Sequence, residues 1–312
     1  GLRSPVVWAG RPGRAIAGAE YFAPLFTHSV PGLPGAAANE GLSRRWQGSR
    51  DFSEPAGWSA ISVPHAFNAG DYSERSYTGY TAWYATEFNL PRGPSGAQWI
   101  LHFDSVNFKA RAWLNGREIG GHTGGYVPFE LLAKSVKRGA NRLVVRVDSR
   151  LNESSIPSQE ERNDQLTGGW WNYGGILREV GLRRTGNLDI SHVATRSSFK
   201  STRGPAKITV LVRVKNLGRR RARLKLSGRF GGSPVKFRRT LLRRGVSTEI
   251  KGTVTIRRPK LWQPLSPTLY PVTVRGAGRG YRVFAGIRRL NVSKTGALSL
   301  NGKKVRLRGV SF

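Results

Sequence analysis

The residues best equipped for chemistry lie together in mid-chain, where Glu153, Glu160, Glu161 and Asp164 lead into Trp170-Trp171-Asn172-Tyr173. Three large rings beside a hydrogen-bonding amide suit a ligand with an apolar face and hydroxyl edges. Aromatic area covers the face, and a few placed polar groups set its orientation. A sugar is such a ligand, which makes Trp170, Trp171 and Asn172 candidate carbohydrate-binding residues. The alternative is that the Trp pair fills a sandwich core while Gly168, Gly169, Gly174 and Gly175 only turn the backbone. The four carboxylates could supply acid/base pairs, but a polar loop holds them in poor geometry for proton transfer.

Other chemistries find little support. The five histidines are scattered and there is no Cys, so no metal ligand set is read and no metal is expected. His65 and His122 read as structural residues at strand margins. Gly276-Ala277-Gly278-Arg279-Gly280 resembles a phosphate loop, but the strand-like Tyr281-Arg282-Val283-Phe284 follows where a helix N-terminus would be needed, so it reads as a hairpin turn. No Gly-x-Ser-x-Gly elbow is present. No cofactor is expected.

The elements around the aromatic stretch read as strands. Residues 1–45 are rich in Gly, Pro and Ala with weak periodicity, which predicts an irregular N-terminal arm. From Trp46 onward, alternation predicts strands at Trp58–Pro64, Thr81–Pro91 with a turn signal at its end, Trp99–Val106 and Asn141–Asp148. Asn115-Gly116 between two apolar runs predicts a hairpin whose central residues both take positive φ. The polar segment Ser149–Thr167 delivers the chain to the Trp pair, and a loop of that length in a compact domain is more often functional or mobile than architectural. Leu188–Val193 then closes a first domain at Ala194.

Beyond that point Ile208, Val210, Val212 and Val214 alternate with Thr209, Leu211, Arg213 and Lys215, so one sheet face is apolar and the other mostly charged. Short strands with Gly and Pro turns predict an immunoglobulin-like sandwich over 195–292. Leu298–Val305 repeats the hairpin device at Asn301-Gly302, and 293–312 reads as the start of something larger.

The sequence holds 312 residues with a formal net charge of +34 and a pI of about 11.6. Such an excess favours weak adhesion to polyanions, and it makes a basic polyanion- or nucleic-acid-binding protein the competing class. Arg219-Arg220-Arg221 with Arg238, Arg239, Arg243 and Arg244 is its best feature, although no recognition helix or base-stacking motif accompanies it. No apolar run reaches the ~18 residues of a membrane helix, so no membrane partner is expected. The chain begins at Gly1 and lacks Met, which predicts a processed or cut chain, soluble and compatible with export after removal of a signal peptide. Oligomeric state is not legible.

Several motifs in order carry a family resemblance. Trp113-Leu114-Asn115-Gly116, His122-Thr123-Gly124-Gly125-Tyr126-Val127-Pro128-Phe129-Glu130 and Tyr173-Gly174-Gly175-Ile176-Leu177-Arg178-Glu179-Val180 resemble the sugar-binding domain of glycoside hydrolase family 2, the β-galactosidase and β-glucuronidase family. Leu261-Trp262-Gln263-Pro264, Pro267-Thr268-Leu269-Tyr270 and Phe284-Ala285-Gly286-Ile287-Arg288 resemble the end of its immunoglobulin-like domain. Leu300-Asn301-Gly302-Lys303-Lys304-Val305-Arg306-Leu307-Arg308-Gly309-Val310 resembles the lead-in to its barrel.

The resemblance implies an all-β chain: a jelly-roll sandwich over 46–194, an immunoglobulin-like sandwich over 195–292 and the first strand of a truncated TIM barrel over 293–312. It implies the N-terminal part of a retaining glycoside hydrolase acting on β-linked O-glycosides through two barrel glutamates. No position here matches either glutamate, so no catalytic residue is assigned and this chain alone is expected to be inactive. A stand-alone carbohydrate-binding protein is the alternative. The implied partners are a carbohydrate substrate and the protein's own barrel. Family members carry an acidic residue directly before the aromatic pair, where this sequence has Gly169; Asp164 is the candidate substitute.

Overall fold

The computed structural model describes residues 21–22, 28–30, 59–90, 97–152, 154–156, 160–162, 165–167, 171–277 and 279–310. The chain divides into two units, one over 20–185 and the other holding 186–312. Both are built from antiparallel strands, and the described residues contain one short helix, Glu74–Thr78. That helix is far too short to cross a membrane.

The first unit faces a four-stranded sheet against a six-stranded one. The smaller runs in the order Tyr21–Phe22, Val180–Thr185, Gln98–Phe103, Phe129–Leu132; the larger runs Ser59–Ala60, His28–Val30, Thr81–Leu90, Gly139–Asp148, Lys109–Leu114, Arg117–Thr123. Period-two patterning decides which side chains meet. Leu101, Phe103 and Leu182 of the small sheet pack with Tyr84, Leu114, Val145 and Val147 of the large one. Each fully buried side chain of this kind contributes roughly 1.5–3 kcal/mol. The alternate positions Trp83, Ala85, Trp113 and Val144 form a separate buried cluster on the opposite face of the larger sheet.

Both predicted Asn-Gly turns form as expected. Asn115 and Gly116 have φ of 52° and 77°, and Asn301 and Gly302 have 53° and 83°, the left-handed pair that a two-residue type I′ turn needs. Gly276 pairs directly with Arg279, so Tyr270–Gly276 and Arg279–Ala285 are joined as antiparallel neighbours at the glycine-rich stretch.

Two sequence expectations are corrected here. Leu188–Ser198 pairs with Ala206–Asn216 along its length, from Leu188↔Asn216 to Ser198↔Lys207. That ladder draws the strand into the second unit, so the boundary falls before Gly186 rather than after Ala194. Within the arm expected to be irregular, Tyr21–Phe22 pairs with Val180–Thr185 and His28–Val30 pairs with Thr81–Leu90. The rest of residues 1–45 lies outside the described residues.

The second unit is also a sandwich. One sheet runs Leu188–Ser198, Ala206–Asn216, Ser247–Ile256, Lys236–Phe237; the other runs Ser233–Pro234, Ser227–Phe230, Tyr270–Gly276, Arg279–Ala285. Ile208, Val210, Val212 and Val214 point inward against Phe230, Val272, Val274 and Val283. A three-stranded sheet of Leu290–Val292, Leu298–Leu300 and Lys303–Lys304 follows.

Candidate functional site

The aromatic stretch enters one end of the first unit, where a small sheet joins His65–Ala66, Gly175–Ile176 and Val106–Asn107. Gly175 has a φ of 142°, and a Cβ there would run into the His65 carbonyl, so the close approach of these strands requires glycine. Beside it, a Cβ on Gly174 would strike the Phe67 ring.

Three buried asparagines hold the stretch in place. Asn68 donates to the Ser76 carbonyl at 3.0 Å, the Ser76 hydroxyl at 3.1 Å and the Asn172 carbonyl at 2.9 Å, and its side-chain oxygen accepts from the Gly174 N–H at 2.9 Å. Asn107 donates to the Asn172 side-chain oxygen at 2.9 Å and to the Tyr173 carbonyl at 2.7 Å. Asn172 donates to the Ser149 carbonyl at 2.9 Å. Ser149 is tied in turn to Tyr80, whose carbonyl accepts from both the Ser149 N–H and its hydroxyl. A buried amide saves its desolvation cost only when its donors and acceptors are matched, and this set matches nearly all of them.

The expectation that Asn172 offers its amide to a sugar is therefore corrected. Asn172 is 2% exposed, and both ends of its amide are engaged inside the protein. Trp171 is half-buried; its indole N–H donates to the Ser76 hydroxyl at 3.2 Å, and its ring meets Tyr72 and Tyr77 edge-on at 5.4 and 5.3 Å. It packs on the helix Glu74–Thr78, whose N-cap Ser73 accepts from the Ser76 N–H at 3.2 Å. Asp164 and Trp170 lie outside the described residues. On either side of Asp164, Glu160–Arg162 pairs antiparallel with Gln165–Thr167.

Aromatic rings reach solvent here beside the exposed Asp71, Ser73, Glu74 and Arg75. Tyr72 is 74% exposed and Tyr173 40% exposed. Tyr126 is exposed on the neighbouring turn, which Ser105 pins by donating to the Gly125 carbonyl at 2.7 Å. His65, Tyr80 and Tyr84 of the frame favour their neutral forms near pH 7. Burial lowers the His65 pKa and raises those of Tyr80 and Tyr84, and the Tyr84 hydroxyl lies 3.1 Å from His65 Nδ1. A polar frame carrying exposed rings can bind a ligand with an apolar face.

Sequence reasoning missed Asn68 and Asn107. Asn68 reads as a turn residue beside Gly70. Asn107 sits in a strand-like run from which Asn is normally depleted, and that mismatch was the one readable sign of its buried role.

The comparisons with known proteins agree with this architecture. Residues 36–186 match the profile described as glycosyl hydrolases family 2, sugar binding domain, and residues 188–286 match that described as glycosyl hydrolases family 2. The two meet where the structure divides the chain. The chain belongs to glycosyl hydrolase family 2, as the equivalents of two of its successive N-terminal β-domains. It is 26% identical over 273 residues to a beta-galactosidase of Thermoanaerobacter pseudethanolicus, covering 84% of this chain and 35% of that protein. It is 26% identical over 269 residues to a beta-glucuronidase of Paenibacillus borealis, covering 79% of this chain and 43% of that protein. The fold is shared with the Bacteroides uniformis beta-glucuronidase 2 covalently bound to cyclophellitol-6-carboxylate aziridine, with a TM-score of 0.74 at 23% identity over 94% of this chain and 35% of that one. The chain thus spans 35–43% of the length of these relatives.

Proposed function

We propose that these residues are the non-catalytic N-terminal part of a retaining glycoside hydrolase that acts on β-linked O-glycosides. The observation that carries this reading is the unbroken succession of the two family-2 matches over 36–186 and 188–286, in relatives named as galactosidases and glucuronidases. The lead-in at 298–310 would pass to a barrel holding the two glutamates.

In this reading the aromatic end of the first sandwich bounds the terminal-sugar subsite. Trp170, the exposed Tyr72 and the open side of Trp171 would supply ring faces, and Asp164 an acidic contact. Asn172 serves beneath them as frame. The protein's large positive charge adds weak adhesion to polyanions that fades with salt.

The test is turnover of aryl β-glycosides. The 312-residue chain alone should show none, and a form extended to the length of the relatives should show it. Turnover by the carefully purified short chain would overturn the reading, as would an inactive extended form that is folded.

A further inference from the structure

The positive charge of this protein is not spread evenly. From Gly186 onward the sequence has thirty-one Lys and Arg against two carboxylates, Asp189 and Glu249. Asp189 is buried, and Glu249 lies on the sheet of Leu188–Ser198, 4.0 Å from Lys251. The opposite sheet therefore has an outer face free of carboxylates among the described residues.

That face has a definite pattern. Arg229, Thr273 and Arg282 stand in register across three adjacent strands. Arg275, two residues along from Thr273, is opposite Ser227 on one side and Gly280 on the other. Its stem lies over Gly280, where an added Cβ would meet Arg275 Cγ at 3.8 Å. All three arginines are exposed. Arg282 is poised 5.7 Å over the ring of Phe284, itself 52% exposed. With strands about 4.8 Å apart and about 3.4 Å per residue, the guanidinium stems root within roughly 10 Å of one another.

We propose that this face binds an acidic polysaccharide. Guanidinium forks match carboxylate and sulfate groups two bonds at a time, and a ring beside them accepts the apolar face of a sugar. Ser227, Thr273 and Gly280 keep the surface between the arginines low, so an extended chain can lie flat across the strands. Nucleic acid fits less well. Single strands are held by successive stacking aromatics, of which this face has one, and duplex grooves are read by a protruding helix or ribbon, which it lacks. The preference for a sugar chain rests on the glycosidase reading; the anion-binding face does not, and binding is measured without hydrolysis.

The experiment compares the chain with Arg229→Gln/Arg275→Gln/Arg282→Gln, with Phe284→Ala, and with a control triple, Arg219→Gln/Arg220→Gln/Arg221→Gln, which removes the same charge from an exposed loop of the same unit. Binding to polygalacturonate, heparin and single-stranded oligothymidylate is titrated across salt, with melting curves to establish folding. The sheet-face triple should weaken polysaccharide binding by about tenfold or more and flatten its salt dependence by roughly two to three charges, against a few-fold loss for the loop triple. Phe284→Ala should weaken it without changing the salt slope. Equal losses from the two triples would reduce the effect to overall charge and overturn the proposal. Tighter binding of oligothymidylate than of either polysaccharide would overturn it in favour of nucleic acid. Loss of binding in a form extended to the relatives' length would assign the face to the added segment instead.

Discussion

The side-chain amide of Asn107 donates to the side-chain oxygen of Asn172 at 2.9 Å, out of water and across 65 residues of sequence. This bond locks the segment that follows the Trp pair onto the strand Val106–Asn107. Asn172→Ala would strand one N–H of the Asn107 amide, whose other bond to the Tyr173 carbonyl remains, and the Ser149 carbonyl. With each buried orphan costing about 1–3 kcal/mol, the variant should lose about 2–4 kcal/mol in urea melts. An unchanged midpoint combined with weakened sugar binding would return Asn172 to the ligand.

Trp170 and Trp171 should separate by readout. Trp171 is anchored by Ser76 and flanked by Tyr72 and Tyr77, so Trp171→Ala should cost about 2–4 kcal/mol of stability through lost packing. Adjacent side chains in an extended segment face opposite ways. Trp170→Ala, in a form extended to the length of the relatives, should then raise KM for aryl glycosides and leave the melting temperature in place. Equal stability losses with unaltered kinetics would make the whole pair core.

A second buried polar set predicts acid sensitivity. Glu130 accepts from Arg183 at 2.9 and 2.8 Å and lies 3.3 Å from His102. Burial alone would raise its pKa, but the hydrogen bonds from His102 and Arg183 outweigh burial and bring it from the ordinary 4.5 to about 2. A carboxyl with a depressed folded pKa stabilises fully above its unfolded value and loses that contribution as pH falls through the folded one. Stability should decline between pH 4.5 and about 2, by at most roughly 3 kcal/mol from this group. Glu130→Gln should be less stable near neutrality and should lack this part of the slope; superimposable pH profiles would remove Glu130 from the account.

The Asn115 turn offers a local test. Besides its φ of 52°, Asn115 donates to the Ser135 carbonyl at 2.7 Å and to the Asn141 side chain at 2.9 Å, and accepts from the Arg142 N–H at 3.0 Å. Asn115→Gly keeps the turn and loses the bonds; Asn115→Ala loses both. Thermal melts should rank wild type above Gly above Ala, with Ala about 2–4 kcal/mol down. If Gly were no better than Ala, backbone conformation would contribute nothing there.

Much of this protein was legible in its sequence because the determinants are local. Alternation in Ile208, Val210, Val212 and Val214 set which face is buried, and Asn115-Gly116 and Asn301-Gly302 set two turns, since side-chain period and positive φ are properties of a few adjacent residues. The order of motifs was enough to identify the family. The partner of Leu188–Ser198 was not legible, because a strand between two sandwiches carries the same pattern whichever sheet it joins. Nor was the role of Asn172. Its type suits a sugar hydroxyl or a buried frame equally, and only the fold, by bringing Asn107 and Ser149 to it from distant strands, decided that its hydrogen bonds are made inside the protein. The arginine face was hidden for the same reason: Arg229, Arg275 and Arg282 lie far apart along the chain, and cross-strand register alone makes them neighbours.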